Sequence, residues 1–424
     1  MLGYFAIWLG LIALAMPVAF SLAFMGIAWL FIEGQSVTQA AQRLIGGIDS
    51  FPLLAVPCFV LAGIAMNAGG VSVRIYDFAR ALVGHLPGGL GHVNVMGSVI
   101  FSGMSGSAIA DAGGLGILEV KAMKEDGYKA SFAGALTCAS CIIGPLIPPS
   151  IPMVLYGVIS NTSIGALFLA GVVPGLLTAA MLMVHVYFYA KNRPEIPRHK
   201  RATVRDLGVA TRRAFLALLT PAIIMGGIFG GIFTPTEAAA VAAIYSLALG
   251  LFIYGDLKFG DLPRIFKDAV STSAVVGFIV AGASLFGWVL ARERVPQSIA
   301  EAFLAFSTDP YVILLVINVL MLVLGCFMEG IAIMILMVPV FMPVIQQVGI
   351  DPVHFGVLVT MNLMIGILTP PFGVALFTVA KVGKIPFEEL AREILPFLPG
   401  LIIVLFLLTY FPSLSMFLPR LVYG

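Results

Sequence analysis

The sequence predicts an all-α polytopic membrane protein made of two inverted repeats, each with a re-entrant helical hairpin and a broken helix. Of its 424 residues, 60% are hydrophobic and 10% are charged, whereas about a quarter of residues are charged in soluble domains. Apolar runs long enough to cross a bilayer, about 20 residues each, alternate with short polar stretches. A transmembrane β-barrel would instead show short segments of alternating polarity.

The apolar runs cover most of the chain, at 3–32, 51–68, 93–117, 131–160, 166–190, 214–232, 236–254, 269–290, 311–346, 353–382 and 396–417. Runs 93–117 and 311–346 carry a glycine-rich or polar break midway and are interpreted as re-entrant hairpins, which leaves nine crossings. Run 3–32 lacks a basic front and a small-residue cleavage site, so it is interpreted as one retained helix and not a signal peptide.

Charge predicts the topology and excludes other classes. Loop 191–213 holds eight Lys or Arg against two acidic residues, so the positive-inside rule places it in the cytoplasm, and the amino terminus with it. Arg292 and Arg294 are the one discordant pair. A net charge of +2 without a phosphate loop or a zinc-type cluster does not suggest a nucleic-acid partner. No nucleophile and base recur at catalytic spacing, so no enzyme is predicted.

An offset of 222 residues relates the two halves of the chain. It carries Gly103, Gly127, Gly134 and Gly144 onto other glycines, and Pro148–Pro149 onto Pro370–Pro371. Glycine and proline determine backbone shape, so the repeated property is geometry. The predicted units are a first repeat at 1–190, a basic loop with a linking helix at 191–232 and a second repeat at 233–424. Hairpins that open to opposite sides make the repeats inverted, as in secondary transporters.

Double prolines interrupt two predicted spans, in GPLIPPS (144–150) and GILTPPFG (366–373). Proline removes an amide donor and disfavours helix in the preceding residue, which leaves free carbonyls near Gly144 and Gly366. Such backbone is tolerated in a membrane only where it lines a cavity. A simple helix kink is the alternative, and two matched sites weigh against it. Ser150 follows the first break, where a new helix start favours a carboxylate.

The hairpin midpoints carry the remaining candidate residues. Ser105 and Ser107 offer the hard oxygen ligands that sodium accepts, although hydroxyls that pack helices are the alternative. Asp111 is an intramembrane carboxylate, which marks an ion, a proton or a structural partner. By symmetry, Glu329 with Gly366 and Thr369 predicts a second cation site.

Long ordered strings over essentially the whole chain resemble the large membrane subunit of tripartite ATP-independent periplasmic (TRAP) transporters: SGSAIADAGGLG (105–116), KAMKEDGY (121–128), IIGPLIPPSI (142–151), GGIFTPTEAAA (230–240) and TPPFG (369–373). The resemblance implies an elevator-type, sodium-driven carrier of the ion-transporter superfamily in a bacterial inner membrane. It further implies about two sodium ions, no organic cofactor, a periplasmic binding protein that delivers an organic acid, and a four-helix membrane subunit. We expect that subunit to be a separate chain.

Matching motifs assign the first sodium site to Ser105, Ser107 and Gly144, and the second to Gly325, Gly366, Thr369 and Glu329. Ser105, Ser150 and Asp111 are assigned to the substrate. The strings are most similar to the sialic-acid type. Neither tip carries Lys or Arg, which suits a sugar acid with one carboxylate. A C4-dicarboxylate member, a stand-alone sodium/carboxylate symporter and a passive channel are the alternatives.

Overall fold

A computed structural model describes residues 2–14, 16–191, 193 and 195–424, and all regular secondary structure in these ranges is helical. The first half of the chain forms α1 (Leu2–Ala13), α2 (Val18–Ile32), α3 (Thr38–Ile48), α4 (Ala55–Ala68), α5 (Val71–Val83), α6 (Gly89–Ser105), α7 (Ala108–Gly113), α8 (Leu115–Glu125), α9 (Ala130–Cys141), α10 (Ile151–Ser160) and α11 (Ile164–Lys191).

A linking helix, α12 (Val204–Phe229), joins the two halves. The second half forms α13 (Pro235–Ala248), α14 (Leu262–Arg292), α15 (Val295–Phe306), α16 (Pro310–Gly325), α17 (Gly330–Gln347), α18 (Pro352–Gly366), α19 (Val374–Gly383), α20 (Phe387–Ile394), α21 (Leu398–Tyr410) and α22 (Ser413–Tyr423).

Membrane-spanning helices account for the high apolar content. Within the described ranges, seven helical segments are long and apolar enough to cross a bilayer. They are Phe51–Ala68, Ile164–Lys191, Val204–Phe229, Pro235–Tyr254, Phe259–Arg292, Gly330–Gln347 and Phe387–Tyr410. The prediction of a polytopic helical membrane protein is confirmed. Three of the predicted crossings, at 3–32, 131–160 and 353–382, are each made of two shorter helices.

The first predicted span is not the single helix that its apolar composition suggested. α1 ends at Ala13, and α2 begins after Pro17, whose backbone is extended (φ −57°, ψ 138°). Proline has no N–H for an intrahelical hydrogen bond, and its ring clashes with the preceding turn. The prediction of one continuous helix over 3–32 was therefore wrong.

The linking helix begins ten residues before the predicted start at 214. Its first turn is stabilised by a capping box, in which the Thr203 hydroxyl accepts from the Asp206 N–H (3.1 Å) and the Asp206 carboxylate accepts from the Thr203 N–H (3.1 Å). This arrangement satisfies two amides that a helix start leaves without partners. The basic composition of 204–213 concealed a helix that hydropathy alone assigned to a loop.

The offset of 222 residues relates helices as well as letters. Moved by this offset, α9 and α10 fall at 352–363 and 373–382, where α18 and α19 lie. Moved in the same way, α5 falls at 293–305, where α15 lies. Neither α5 nor α15 was predicted, because both are short and flank longer apolar runs.

Buried polar residues join the first hairpin arm to the broken helix in both halves. Asn94 on α6 donates to Thr137 (2.7 Å) and accepts from the Ser140 hydroxyl (2.7 Å), both on α9. Asn362 on α18 donates to the Asn318 side chain on α16 (3.1 Å). Buried amides are costly unless they are paired, so these contacts specify the register in which each hairpin meets its broken helix.

Candidate functional site

The first hairpin reverses at a glycine that no other residue could replace without strain. α6 ends at Ser105, and Gly106 adopts a left-handed conformation (φ +60°). A Cβ atom added to Gly106 would collide with the carbonyl oxygen of Pro149. The Ile151 N–H donates to the Gly106 carbonyl (3.2 Å). The hairpin tip is therefore in backbone contact with the proline break of the neighbouring helix.

The first break leaves a carbonyl without a partner, as its prolines predict. Helix α9 ends at Cys141 and α10 begins at Ile151. Pro148, four residues after Gly144, has no N–H to donate. Among the described residues, none donates a hydrogen bond to the Gly144 carbonyl. A Cβ atom on Gly144 would lie 3.6 Å from the carbonyl oxygen of Ser107, so two carbonyl-bearing segments meet at this point.

In the second unit, the equivalent glycines touch. A Cβ atom added to Gly366 would lie 2.8 Å from the Cα of Gly325, and one added to Gly325 would lie 2.9 Å from the Cα of Gly366. The Thr369 N–H donates to the Gly366 carbonyl (3.0 Å). The Thr369 hydroxyl donates to the Ile365 carbonyl (2.8 Å), which leaves its oxygen lone pairs for another ligand.

Helix ends give both units a field that favours cations. The first arms of the two hairpins end at Ser105 and Gly325, and the first halves of the broken helices end at Cys141 and Gly366. Each helix carboxyl end carries about half a negative charge, which stabilises a nearby cation. The close contact between Gly325 and Gly366 brings two such ends together in the second unit.

One cavity of about 480 Å³ lies where the two hairpin tips meet. Its walls are the first tip from Ser105 to Ala110, the start of α10, and Glu329 from the second tip, and helices α4 and α14 close the other side. Among the described residues that line this cavity, none is lysine, arginine or histidine. Its volume is within the range of small-molecule sites, about 300–1,000 Å³.

Three of the predicted residues line this cavity: Ser105, Ser107 and Glu329. Ser105 is 1% exposed, and its hydroxyl has no hydrogen-bond partner among the described residues. Ser107 and Glu329, which are 222 positions apart, both cap the next helix, with the side chains accepting from Ala110 (3.3 Å) and Ala332 (3.0 Å). Ser105 is therefore the hydroxyl that is free to bind a ligand.

The other predicted residues lie behind the cavity wall: Gly144, Ser150, Gly325, Gly366, Thr369 and Asp111. Ser150 is fully buried, where its hydroxyl donates to the Pro145 carbonyl and accepts from the Met153 N–H (3.2 Å). In this conformation its hydroxyl holds the break and the start of α10 together. A role in substrate binding requires that the hydroxyl exchange the Pro145 carbonyl for a substrate oxygen.

Asp111 is buried within the first hairpin and is not part of the cavity wall. It is 1% exposed, and neither carboxyl oxygen has a hydrogen-bond partner within the described chain. Glu119 on α8 is buried and unpartnered in the same way. Sequence reasoning missed Glu119 because the predicted hairpin stopped at residue 117, which left this carboxyl in a polar loop.

Thr272 on α14 is a cavity residue that the sequence did not identify. Its hydroxyl donates to the Asp268 carbonyl one turn earlier (2.9 Å), as is common for threonine in a helix. The only sequence signal was a short run of hydroxyl residues, 271–273, inside an apolar span. That run does not show which side faces the hairpin tips.

Hairpins, broken helices and a cavity at their meeting point define a membrane transporter of the secondary-carrier class. The family model described as "Tripartite ATP-independent periplasmic transporter, DctM component" matches residues 5–414. The chain therefore belongs to this family and is a TRAP large permease, as the sequence strings predicted.

Three relatives show the range of named substrates in the family. The sialic acid TRAP transporter large permease protein SiaM of Vibrio cholerae is 55% identical, over 98% of this chain and 98% of that protein. The sialic acid TRAP transporter permease protein SiaT of Haemophilus influenzae is 45% identical, over 98% of this chain and 67% of its own length. The C4-dicarboxylate TRAP transporter large permease protein DctM of Pseudomonas aeruginosa is 40% identical, over 92% and 91%.

A solved structure supports the fold independently. The YdaH transporter of Alcanivorax borkumensis superposes with a TM-score of 0.66 over 89% of each chain, at 15% sequence identity. A likeness at this level of identity concerns architecture alone.

Proposed function

We propose that this chain moves a sialic acid across the bacterial inner membrane, driven by sodium ions. The observation that carries the proposal is the cavity at the hairpin tips, where the unpartnered Ser105 hydroxyl and the free Gly144 carbonyl lie near helix carboxyl ends. Oxygen donors in a negative field suit a hard monovalent cation. Because a TRAP large permease is a carrier component, such a cation would couple to uptake.

The first sodium site would use Ser105, Ser107 and Gly144. The free Gly144 carbonyl and the Ser105 hydroxyl supply oxygen donors, and the Ser107 carbonyl segment abuts Gly144. The second site would use Gly325, Gly366 and Thr369, with Glu329 at the same tip. In that site the two glycine backbones are already in contact, so the cation would be held chiefly by carbonyl oxygens and the Thr369 hydroxyl.

The chemistry of the cavity supports a sugar acid as substrate. With no basic side chain among its described lining residues, the cavity offers no paired cations for the two carboxylates of a dicarboxylate. One carboxylate could be met by a bound sodium ion, by Ser105 and, after rearrangement, by Ser150. The relative that is 55% identical over 98% of both chains is named for sialic acid, whereas the C4-dicarboxylate relative is 40% identical.

Two protein partners follow from the proposal. A TRAP transporter of this kind would receive its substrate from a periplasmic binding protein. A small four-helix membrane subunit would accompany this chain as a separate polypeptide. The alignment over 98% of a protein named as a large permease supports that division, although the longer Haemophilus relative contains sequence beyond the aligned region.

The test is uptake of labelled sialic acid into liposomes that contain this chain with its small subunit. The proposal predicts uptake only when a sodium gradient and the loaded binding protein are both present. Uptake with sodium but without the binding protein would favour a stand-alone symporter. Flux without a sodium gradient would favour a passive channel. Uptake of C4-dicarboxylates in place of sialic acid would reassign the substrate and leave the carrier mechanism intact.

A further inference from the structure

A second cavity, of about 460 Å³, lies away from the hairpin tips between α5, the basic loop and the start of α12. Four basic side chains line it, one from α5, one from the loop and two from α12: Arg80, Lys200, Arg205 and Arg213. Its remaining wall is made largely of small or apolar residues such as Ala81 and Val209. The cavity therefore joins a positively charged mouth to an apolar wall.

The positive charge of this basic pocket is not neutralised by the protein. None of the four cations forms an ion pair within the described ranges. Asp77 and Asp206 also line the pocket, but Asp206 already accepts from the Thr203 N–H and hydroxyl (3.1 and 2.6 Å). His199 is paired with Asp126 (2.9 Å), a contact that holds the basic loop against the rest of the protein.

The second repeat has no equivalent of this pocket. The offset of 222 residues carries Arg80 onto Ala302 and Asp77 onto Ile299, both on α15. The basic pocket is therefore not part of the repeated transport geometry. Its position beside loop 191–213 places it on the side that the positive-inside rule assigns to the cytoplasm.

We propose that this pocket binds the phosphate headgroup of an anionic phospholipid from the adjacent leaflet. Arginine side chains recognise phosphate through several hydrogen bonds at once, and basic pockets between membrane helices on the cytoplasmic side bind such headgroups. Around the pocket, Leu82, Val209 and Phe215 are 39%, 47% and 53% exposed. These side chains supply an apolar surface for the acyl chains, which a soluble phosphate compound would not use.

The lipid would connect α5, which belongs to the first repeat, with the linking helix α12. Its headgroup would bring Arg80 on one helix and Arg205 and Arg213 on the other to a common anion. Without the anion, these like charges around one cavity repel each other. Binding should therefore stabilise the contact between the two helices as well as retain the lipid.

The experiment is native mass spectrometry of the purified full chain, titrated with phosphatidylglycerol and, separately, with phosphatidylcholine. We expect phosphatidylglycerol adducts to form at least tenfold more readily. The combined variant Arg80→Gln, Arg205→Gln and Arg213→Gln should lose this preference. A matched variant, Arg264→Gln, Lys267→Gln and Arg392→Gln, removes three charges from the same predicted side outside the pocket and should keep it. Size-exclusion chromatography checks that each variant is folded.

A second variant separates a pocket from a general surface charge. Ala210→Leu fills the cavity without altering its charge and should also abolish the preference for phosphatidylglycerol. Equal losses in the pocket variant and in the matched control would overturn the proposal, as would an Ala210→Leu variant with undiminished binding. Displacement of the lipid by millimolar inorganic phosphate would reassign the pocket to a soluble anion and would also contradict the proposal.

Discussion

The two hairpin-and-break units have the same backbone plan but differ in side-chain chemistry. Both breaks contain a proline pair joined by a cis peptide bond. At equivalent positions, the first tip has Ser107 and the second has Glu329, and each caps the following helix. The first break ends in Ser150, a buried cap, whereas the second has Phe372, which is 54% exposed.

The difference extends to the free backbone groups. In the first unit, the Gly144 carbonyl has no donor within the described chain, whereas in the second the Gly366 carbonyl accepts from Thr369 (3.0 Å). The buried, unpartnered hydroxyl at Ser105 has Phe327 as its counterpart. Glycine and proline thus preserve a common shape, while the hydroxyls that suit a substrate are concentrated in the first unit.

The largest expected effect comes from the glycine contact in the second unit. Gly366→Ala places a Cβ atom 2.8 Å from the Cα of Gly325, and overpacking of this kind costs about 1–3 kcal/mol. Sodium-driven uptake should fall about tenfold or more. Gly277→Ala on α14, where nothing lies within 4 Å of the added atom, is the control and should retain uptake. Retained uptake in Gly366→Ala would show that the close approach is dispensable.

The next effect separates the two sodium sites. Ser107→Ala and Thr369→Ala should each raise the half-saturating sodium concentration about tenfold, as expected for loss of a coupled ligand. Ser98→Ala is the control, because Ser98 is an equally buried hydroxyl on α6 that does not line the cavity. Uptake at varied sodium concentrations measures the shift. Unchanged sodium curves in both variants would remove the ion assignment.

Ser150 and Phe372 test whether substrate binding is confined to the first unit. Ser150→Ala removes a helix cap worth about 1 kcal/mol and should weaken apparent substrate affinity about fivefold, with little change in sodium dependence. Phe372→Ser, at the equivalent exposed position, should alter affinity less than about twofold, because exposed substitutions change stability little. Equal losses of affinity in the two variants would contradict an asymmetric substrate site.

Glu329→Gln tests whether the second tip uses its charge or only its cap. Glutamine retains an oxygen that can accept from the Ala332 N–H but removes the negative charge, so sodium affinity should fall about threefold through loss of charge attraction. Asp309→Asn, at the exposed cap of α16, is the matched control. A sodium curve identical to that of the unmodified protein would assign Glu329 to capping alone.

Asp111→Asn should have the smallest effect on transport. Because the Asp111 carboxyl does not line the cavity, substrate affinity should change less than about twofold, as for positions away from a binding site. Competition by unlabelled sialic acid measures it. A loss comparable to that of Ser150→Ala would instead support the sequence-based assignment of Asp111 to the substrate.

Local backbone chemistry was readable from the sequence because glycine and proline act where they stand. The double prolines predicted both breaks, and the structure places non-helical segments between α9 and α10 and between α18 and α19. The spacing of matching letters predicted which elements correspond. The family strings predicted membership in the TRAP large-permease family, which the match over residues 5–414 confirms.

Long-range packing was decided only by the tertiary structure. No local pattern shows that Gly325 meets Gly366, that Thr272 faces the hairpin tips, or that Asp111 turns away from them. In a chain that is apolar on nearly every helix face, hydrophobic periodicity does not distinguish a face toward lipid from one toward protein. Composition and turn chemistry determine the helices and their interruptions, whereas contacts between distant helices determine which polar groups share a cavity.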